Sequence, residues 1–414
     1  RSIMRARTAA IPAALVGAIA LALVPALPAA AAEQVWDGTG GAGQWWSDGA
    51  AWTGAPLVNG DSVTFSAVGG GIQTQSSISD FGGALTLENV RFATSHSVNS
   101  STTTLTTTGG VSVTAGSTVL LNSNVTTSGP QSWLVGPSSQ LTLPGVVLVD
   151  PASSLTLEID GLVNATGNID GQVTGLVTKI GEGTLVRTGN AGGAIGGGGL
   201  LISEGVVLLD GVGASGTSYV INGGTLAGNR ITAGITLTSG VIAPGGATAG
   251  PQEILVGLNG VALNGGTYEV SIAPGETVPS DYISAADGVL SGTGTMLELQ
   301  VTSTPTIGDA FEIAGMQFGT IDPAFRFRGP DGAVLEEGAE FVSGGGIWSI
   351  SYIEVVEIEY LGLAPVTPVT PTMPPTGQEI DWIVPVGIGA GVLVLGGLAV
   401  VVVRAVRSRR AGDD

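Results

Sequence analysis

Few side chains in this sequence are of the types that acid–base or nucleophilic catalysis uses. His96 is the single histidine and lies in a segment rich in Ser, Asn and Thr that predicts a loop, so a Ser-His-Asp triad would have one candidate base. A glycosidase needs two carboxyl groups at a set separation, and the candidates are Asp281, Asp287, Glu298 and Glu312. Acidic residues between short glycine-bounded segments are more typical of solvated turns. We therefore predict no catalytic residues, no metal site and no cofactor.

Four tryptophans lie close together in the first part of the chain: Trp36, Trp45, Trp46 and Trp52. Aromatic faces can stack on sugar rings, so one hypothesis is a glycan-binding surface at these residues. The alternative, which we favour, is a structural cap in which the rings pack over the first strands of a repetitive β-fold.

The composition predicts the elements that would carry these residues. The 414 residues include 69 glycines and no cysteine. Glycine costs about 1 kcal/mol per interior helix position relative to alanine, whereas frequent Thr, Val, Leu and Ile favour short strands joined by tight turns. The absence of cysteine excludes disulfides and thiolate metal sites. Because the net charge is −20, we expect no binding of nucleic acid.

The N-terminal segment has the parts of a secretory signal peptide. Arginines precede an apolar stretch, and a run of alanines precedes Glu33. A basic region, an apolar region and small residues at the cleavage site are typical of such signals. We predict a signal peptide over residues 1–32, forming a helix and cleaved between Ala32 and Glu33. The alternative is an uncleaved membrane anchor.

A second apolar segment lies near the C-terminus. Residues 383–403 are apolar and uncharged, and a run of this length can cross a hydrocarbon core of about 30 Å. Residues 404–414 carry four arginines, and positive residues flank the cytoplasmic side of a membrane span. We predict a transmembrane helix over 383–403, a cytoplasmic basic tail over 404–414, and the rest of the chain outside the cell.

The pentapeptide Met373-Pro374-Pro375-Thr376-Gly377 precedes this span. Pentapeptide, span and arginine-rich tail together resemble the cell-wall sorting signal of Gram-positive surface proteins, in which a sortase cleaves an LPxTG motif between Thr and Gly. The resemblance implies that Thr376 is joined to peptidoglycan and that a sortase-type transpeptidase is a partner. Met373 stands where the family has Leu and is similar to it in volume. The alternative is a single-pass membrane anchor in which the pentapeptide is only linker.

Residues 364–382 connect the predicted ectodomain to the span. Proline at every third position of this segment disfavours helix and sheet and favours an extended polyproline II stalk. At ~3.1 Å per residue, residues 364–377 would reach ~43 Å. Such a stalk would hold the ectodomain away from the membrane.

Short runs of alternating apolar and polar residues fill the region 33–303. Alternation with a period of two over four to six residues predicts half-buried strands, and the runs occur at residues 110–116, 155–159 and 235–238, among others. Four segments share a Gly-x-Gly-Thr-like start, at residues 181, 223, 265 and 292. Each would turn on glycine and lay one strand against the neighbouring coil of a β-solenoid. The repeats do not fix the period, and if a coil takes ~20–25 residues the region would form a rod of roughly 60–80 Å.

One copy of this repeat is more specific. Residues 179–185 read Lys-Ile-Gly-Glu-Gly-Thr-Leu, and residues 198–208 read Gly-Gly-Leu-Leu-Ile-Ser-Glu-Gly-Val-Val-Leu. With the segments at 36–38 and 243–245, this pattern resembles the autotransporter-associated β-strand repeat. The resemblance implies a right-handed parallel β-helix with roles in surface display and adhesion, and no defined reaction. The sequence departs from that family by ending in a sorting-type tail.

Residues 304–363 differ from the preceding repeats because they concentrate aromatic side chains. Acidic and apolar residues alternate over 354–359, which predicts a strand with one face in water. We predict an aromatic-rich C-terminal cap that closes the open end of the solenoid.

The sequence therefore predicts an all-β, non-enzymatic surface protein on a wall- or membrane-anchored stalk, with a role in adhesion or envelope structure. A second hypothesis is a carbohydrate-binding or polysaccharide-cleaving module built on the same β-helix. A third is a tandem of Ig-like sandwiches, which would be antiparallel. The sequence does not specify whether the extracellular ligand is a glycan or a protein.

Overall fold

The computed structural model describes residues 32–36, 45–53, 56–66, 75–78, 81, 83–170, 175–189, 198–211, 218–228, 234–245, 253–256, 259–285, 288–316 and 318–365. The chain divides into two units, 1–364 and 365–414, and the described strands all belong to the first unit. Residues 1–31 of the predicted signal peptide, the stalk after residue 365, the sorting motif at 373–377, the span at 383–403 and the basic tail lie outside the described residues. Within the part that is described, no helix has the length and apolar character needed to cross a membrane.

Nearly all regular structure in the described residues is β-strand. The first half contains β1 (Glu33–Trp36), β2 (Trp52–Thr53), β3 (Ser62–Phe65), β4 (Gln75–Ser77), β5 (Ala84–Phe92), β6 (His96–Val113), β7 (Thr118–Thr127), β8 (Gln131–Val135), β9 (Gln140–Leu143), β10 (Val147–Val149), β11 (Ser154–Ile159), β12 (Leu162–Ala165), β13 (Ile169–Asp170), β14 (Leu176–Ile180), β15 (Thr184–Gly189), β16 (Leu200–Ile202) and β17 (Val206–Gly211). A short 3-10 helix at Gly49–Ala51 begins where the Asp48 carboxylate accepts a hydrogen bond from the Ala50 amide.

The strands continue to the end of the described chain. They are β18 (Tyr219–Gly228), β19 (Ile235–Pro244), β20 (Glu253–Val256), β21 (Val261–Leu263), β22 (Thr267–Ile272), β23 (Tyr282–Ala285), β24 (Val289–Ser291), β25 (Met296–Val301), β26 (Ala310–Met316), β27 (Thr320–Ile321), β28 (Glu340–Ser343), β29 (Gly346–Ser351) and β30 (Val356–Leu363). The described strands form one sheet of 24 strands and one of six. This confirms the all-β prediction.

The larger sheet is built from stacked coils whose strands pair in parallel, apart from the antiparallel pair β1–β2. In the central coils, Thr118 pairs with Gln140, Gln140 with Leu162, Leu162 with Thr184, and Thr184 with Val206, so each coil has 22 residues. The parallel pairing confirms a solenoid-like architecture, and the structure supplies the period that the repeats left open. The hypothesis of Ig-like sandwiches is wrong, because those folds pair their strands antiparallel.

Three of the four Gly-x-Gly-Thr-like segments occupy equivalent places in the coils, and the fourth is offset by one residue, with Thr295 just before the ladder residue Met296. Thr225 pairs with Val241, Val241 with Thr267, and Thr267 with Met296, which continues the ladder that contains Thr184. The shared glycines therefore mark one corner of the coil, as the repeat predicted. At Gly183 of this corner a larger side chain does not fit, because a Cβ there would lie 2.1 Å from the Gly161 carbonyl oxygen of the preceding coil.

The core is a set of columns formed by inward-facing side chains. One column passes from coil to coil and is fully buried along its length, through Val119, Leu141, Val163, Leu185, Val207, Leu226, Ile242, Tyr268 and Leu297. Because side chains alternate between faces, a shift of one residue in any strand would move the apolar side chains of that strand from the core to the solvent-facing side. The alternation seen in the sequence thus fixes the register of each coil.

After residue 304 the chain adds antiparallel strand pairs, although β27 still pairs in parallel with β24 of the larger sheet. In the six-stranded sheet, β20, β23 and β26 are parallel, whereas β26, β30, β29 and β28 pair antiparallel in that order. Val356, Ile358 and Tyr360 are buried while the glutamates between them are not, so the predicted strand with one wet face is confirmed.

This C-terminal region supplies partners for the last strand of the long ladder. The Leu297 amide donates to the Arg328 carbonyl at 2.8 Å, and the Leu299 amide donates to Ser343 Oγ at 3.0 Å. Open strand edges tend to pair with other chains. Backbone groups of β25 that would otherwise be open are therefore satisfied within the chain.

Candidate functional site

The single histidine is buried at the N-terminal end of the solenoid. His96 is the first residue of β6 and is 3% exposed, so the prediction that it lies in a loop is wrong. The residues alternate here, with Val98 inward and Ser97 and Asn99 facing out. The hydroxyl-rich composition that suggested a loop belongs to the outer face of a strand.

His96 forms one side of a closed hydrogen-bonded group. Its Nε2 lies 2.8 Å from Ser76 Oγ, and the Trp46 indole N–H donates to the same Oγ at 2.9 Å. Burial lowers the pKa of His96 to about 4, so the imidazole is neutral at physiological pH. Ser76 is as deeply buried as His96. No substrate could reach this Ser–His pair without displacing the packed rings, and its geometry is that of a structural contact.

The predicted tryptophan cluster divides into three buried rings and one exposed ring. Trp36, Trp46 and Trp52 are buried, whereas Trp45 is 49% exposed. The Trp36 and Trp52 rings meet edge to face with centroids 5.0 Å apart, and Trp46 contacts Trp52 in the same way at 5.8 Å. The buried rings have no face free for a sugar, so any glycan stacking at this end would depend on Trp45.

Phenylalanines extend this packing along the solenoid. Phe65 stacks on Phe92 of the next coil with centroids 4.9 Å apart, and its ring lies 4.3 Å from that of His96. Trp36 precedes Phe65 in the same inward column, since β1 pairs in parallel with β3. We call Trp36, Trp46, Trp52, Phe65, Phe92 and His96 the N-terminal aromatic cluster.

The acidic residues that a glycosidase would require are dispersed. Asp281 is buried, and its carboxylate accepts a hydrogen bond from the Ser271 amide at 2.8 Å. Glu298 lies in β25 of the larger sheet, whereas Glu312 lies exposed in β26 of the smaller one. Asp287 lies outside the described residues. Asp281 thus has a structural contact, and the two glutamates belong to different sheets.

One pair of carboxylates was missed by sequence reasoning. Glu269 and Glu298 are register partners in β22 and β25, 29 residues apart in the chain. Partial burial raises the pKa of Glu269, and the neighbouring charge of Glu298 raises it further. The repeat gave no reliable signal, because Glu269 follows the Gly-Thr dipeptide at 266–267 by two positions whereas Glu298 follows the one at 294–295 by three, and only the pairing of Thr267 with Met296 sets the register.

Lys179 is the most deeply buried charged residue among those described. Its side chain faces inward in the column that contains Leu157 and Ile202. The ammonium Nζ donates to the carbonyl oxygens of Gly181 at 2.6 Å and Ile180 at 2.8 Å, and to that of Glu204 in the next coil at 3.2 Å. Burial lowers the pKa of Lys179 to about 8, against the opposing charges of Asp160 and Glu204.

Glycines near Lys179 stand at positions of the coil corner where a larger side chain does not fit. Gly181 and Gly205 have φ of +78° and +62°, and a Cβ on Gly205 would lie 2.4 Å from the carbonyl oxygens of Gly181 and Gly183. The Gly181 amide donates to the Glu204 carboxylate at 2.9 Å. Lys179, Gly181 and Gly205 therefore form one corner at which a single ammonium group also reaches carbonyls of the preceding and following coils, Ile159 at 3.5 Å and Glu204 at 3.2 Å.

The C-terminal region contains a groove of about 500 Å³. Its walls include Asp322, Arg326, Glu337, Tyr352 and Glu354. The Arg326 guanidinium is engaged by the Glu336 carboxylate at 3.2 Å and lies 4.8 Å from the centre of the Tyr352 ring. Burial raises the pKa of Tyr352 to about 12, so its phenol remains protonated. The groove is lined by three carboxylates, Asp322, Glu337 and Glu354, and by the one guanidinium of Arg326.

Within the described residues, no three His, Asp or Glu side chains are grouped so that they could hold a metal ion. A comparison of the chain with protein-family models finds no match, and a comparison with curated proteins finds none either. The chain is therefore characterised by its architecture, an all-β protein with a parallel, solenoid-like sheet.

Proposed function

We propose that this chain is an exported, non-enzymatic surface protein, held on a wall- or membrane-anchored stalk and acting in adhesion or envelope structure. The observation that supports this most directly is the stack of parallel coils, which presents long, regular outer faces. The charged and histidine side chains that we followed inward, His96, Lys179 and Asp281, each make structural contacts. A stack of this kind suits display of a binding surface at a distance from the membrane.

The proposed attachment rests on the sorting-type signal after the described unit. The last strand, β30, ends at Leu363, and the Pro/Thr segment and Met373-Pro374-Pro375-Thr376-Gly377 come after it. A sortase-type transpeptidase would cleave after Thr376 and join it to peptidoglycan. We propose a cell-wall location on this basis, with a single-pass membrane protein as the outcome if cleavage does not occur.

Cell fractionation of a host that carries a sortase tests the attachment. The unaltered chain should appear in the muramidase-released wall fraction, with a Thr376–peptidoglycan linkage detected by mass spectrometry. Thr376→Ala should move the chain to the membrane fraction, and Thr372→Ala, a matched change in the stalk, should not. Wall release of Thr376→Ala at the level of the unaltered chain would show that the motif is not used.

Loss of the gene tests the role itself. We expect weaker attachment of cells to a surface, or greater sensitivity to wall stress, with recovery when the chain is supplied again. If neither property changes, the proposed role is wrong even if anchoring is demonstrated.

We further propose that the coils wind in the right-handed sense. Crossovers between parallel strands of one sheet are right-handed in about 98% of cases, because a right-twisted strand packs back onto the sheet in that sense. An experimental electron-density map that showed left-handed coils would overturn this proposal.

A second candidate function is binding of a carbohydrate at the N-terminal end, and one observation favours it. Trp45 exposes about half of its side chain beside three buried tryptophans, and an exposed indole face can stack on a sugar ring. A glycan array should then show binding that is lost in Trp45→Ala and kept in Val58→Ala, a nearby exposed apolar residue. Equal array signals for the two variants would remove this candidate.

A further inference from the structure

Trp45, the exposed ring at the N-terminal end, is the first member of an outward-facing column of side chains. It is 49% exposed and pairs in parallel with Ser77 of the next coil. Ser77 pairs with Asn99, and Asn99 pairs with Asn122, each one coil further along. Register partners in parallel strands point to the same side of the sheet, and all four side chains are at least partly exposed. We call these four residues the Trp45 column.

A bulge in β6 lies at the far end of the Trp45 column. In β7, one residue separates Asn122 from Asn124. Their register partners in β6, Asn99 and Thr104, are separated by four residues, so β6 carries three residues more at this corner. Bulges are common beside functional sites, where they redirect side chains or end a ladder pairing.

The bulge forms part of a pocket of about 250 Å³. The lining comes from residues 100 and 102–104 of β6 and from residues 122–124 and 145 of the next two coils. Two hydroxyl groups hold the bulge in place, since Ser100 Oγ and Ser123 Oγ both donate to the Thr103 carbonyl oxygen, at 2.9 Å and 3.2 Å. Because these contacts are present without a ligand, little ordering of the bulge would be needed on binding.

The pocket offers hydrogen-bonding groups without charge. Asn124 Oδ1 accepts from the Val146 amide at 3.0 Å, which leaves the side-chain N–H groups of Asn124 as donors. Asn122 Nδ2 makes only a long contact with Asn99 Oδ1, at 3.5 Å, and Asn122 Oδ1 is an acceptor. None of the residues in the pocket lining or in the Trp45 column is charged. An ionic ligand would lose hydration here without gaining a partner, whereas the hydroxyl groups of a neutral sugar can both donate and accept.

The spacing along the Trp45 column connects the ring to the pocket. Trp45 and Asn122 are three rungs apart, which is ~14 Å at ~4.8 Å per rung. One sugar ring stacked on the exposed indole and another in the pocket would therefore belong to a single chain of sugars that crosses the strands.

We propose that the Trp45 column and the pocket at its end bind a neutral, linear oligosaccharide, with one ring against Trp45 and another beside Asn122. This inference rests on the second candidate function, carbohydrate binding at Trp45. It adds a second contact to that site and names the class of ligand.

Calorimetric titration of the full chain in detergent tests the class and length of the ligand. The probes are cello-, malto- and manno-oligosaccharides of one to six units, with sulfated chains of the same lengths for comparison. In the series that binds, affinity should rise at least tenfold from the monosaccharide to the hexasaccharide, because only a longer chain reaches both contacts. The sulfated hexasaccharide should bind at least tenfold more weakly than the neutral one.

Two variants test whether both contacts belong to one ligand. Trp45→Ala and Asn122→Ala should each weaken hexasaccharide binding at least fivefold and remove most of the dependence on length. Asn264→Ala, a matched change at an exposed asparagine several coils away, should leave binding unchanged. All three changed side chains are exposed, so the circular dichroism and the unfolding midpoint of each variant should match those of the unaltered chain.

Three results would overturn the proposal. If Asn122→Ala binds the hexasaccharide as tightly as the unaltered chain and Trp45→Ala does not bind it, carbohydrate binding at Trp45 stands and the extended site is wrong. Tighter binding of the sulfated chain would show that the ligand is not neutral. If the folded, unaltered chain binds none of the three series at millimolar concentration, both the extended site and the carbohydrate-binding function are wrong.

Discussion

His96 makes the stability of the N-terminal aromatic cluster depend on pH. In the unfolded chain its pKa has the ordinary value of 6.5, and in the folded chain burial lowers it to about 4. At a pH between these two values, the His96 imidazole is protonated in the unfolded state and neutral in the folded state. The stabilisation by neutral His96 is therefore complete above pH 6.5 and is lost as the pH falls toward 4.

The size of this effect is set by the two pKa values. An interval from 6.5 to about 4, at ~1.4 kcal/mol per pH unit, gives about 3 kcal/mol when the loss is complete. At pH 5 about 2 kcal/mol of it should already be lost. Unfolding free energy also changes with pH for reasons unrelated to His96, so the measurement must isolate this residue.

His96→Gln isolates it, because glutamine can hydrogen-bond to Ser76 and does not titrate. We propose urea unfolding of the unaltered and variant chains between pH 7.5 and 4.5, monitored by tryptophan fluorescence, since Trp36, Trp46 and Trp52 lie in the same cluster. The difference in unfolding free energy between the two chains should change by about 2 kcal/mol in favour of the variant between pH 7.5 and pH 5.

A difference that stays constant with pH would refute this reasoning. An independent check is available because the chain has one histidine, whose imidazole signals in an NMR titration need no assignment. A pKa near 6.5 in the folded chain would show that the ring is hydrated.

Three further substitutions, each measured by urea unfolding, test the corner around Lys179 and the N-terminal aromatic cluster. Gly205→Ala should lower the free energy of unfolding by more than ~3 kcal/mol, because φ is positive at this position and the added Cβ would strike two carbonyl oxygens. Gly116→Ala, where φ is also positive but the space is open, should lower it by ~1 kcal/mol. Equal losses in the two variants would contradict the close-approach argument. Lys179→Met keeps the apolar stem but leaves buried carbonyls without a donor, so the free energy of unfolding should fall by ~2 kcal/mol. A variant more stable than the unaltered chain would show that burial of the ammonium costs more than its hydrogen bonds contribute. Trp46→Ala should cost ~3–5 kcal/mol and Trp45→Ala less than ~1 kcal/mol; a large loss in Trp45→Ala would mean that its ring is packed.

The repeat pattern allowed the architecture to be predicted from particular residues. Gly183-Thr184 and the equivalent dipeptides predicted a corner and then a strand, and the ladder through Thr184, Thr225 and Thr267 confirms it. This works because glycine at a crowded corner and alternation along a strand are local requirements, which each coil must satisfy for itself.

The candidate site was less accessible to sequence reasoning. His96 lies among Ser, Asn and Thr, and only its column shows that it faces the core beside Phe65. Nothing local separates Trp45 from Trp46, yet one is half exposed and the other is buried. Neighbours from other coils decide these environments, and the coils before and after a residue are about 22 positions away in the chain.

The sequence by itself determined the β-class and the coil corners, because these depend on composition and on periods of a few residues, whereas the export and attachment segments stay predictions. Tertiary structure alone decided which side chains meet. It placed the Lys179 ammonium among carbonyls of three coils, brought Glu269 beside Glu298, and gave the last ladder strand a partner in Ser343. The physical reason is that stacking converts separations of 20 to 45 residues into distances of a few ångströms, and the length of each intervening loop sets which residues share a rung.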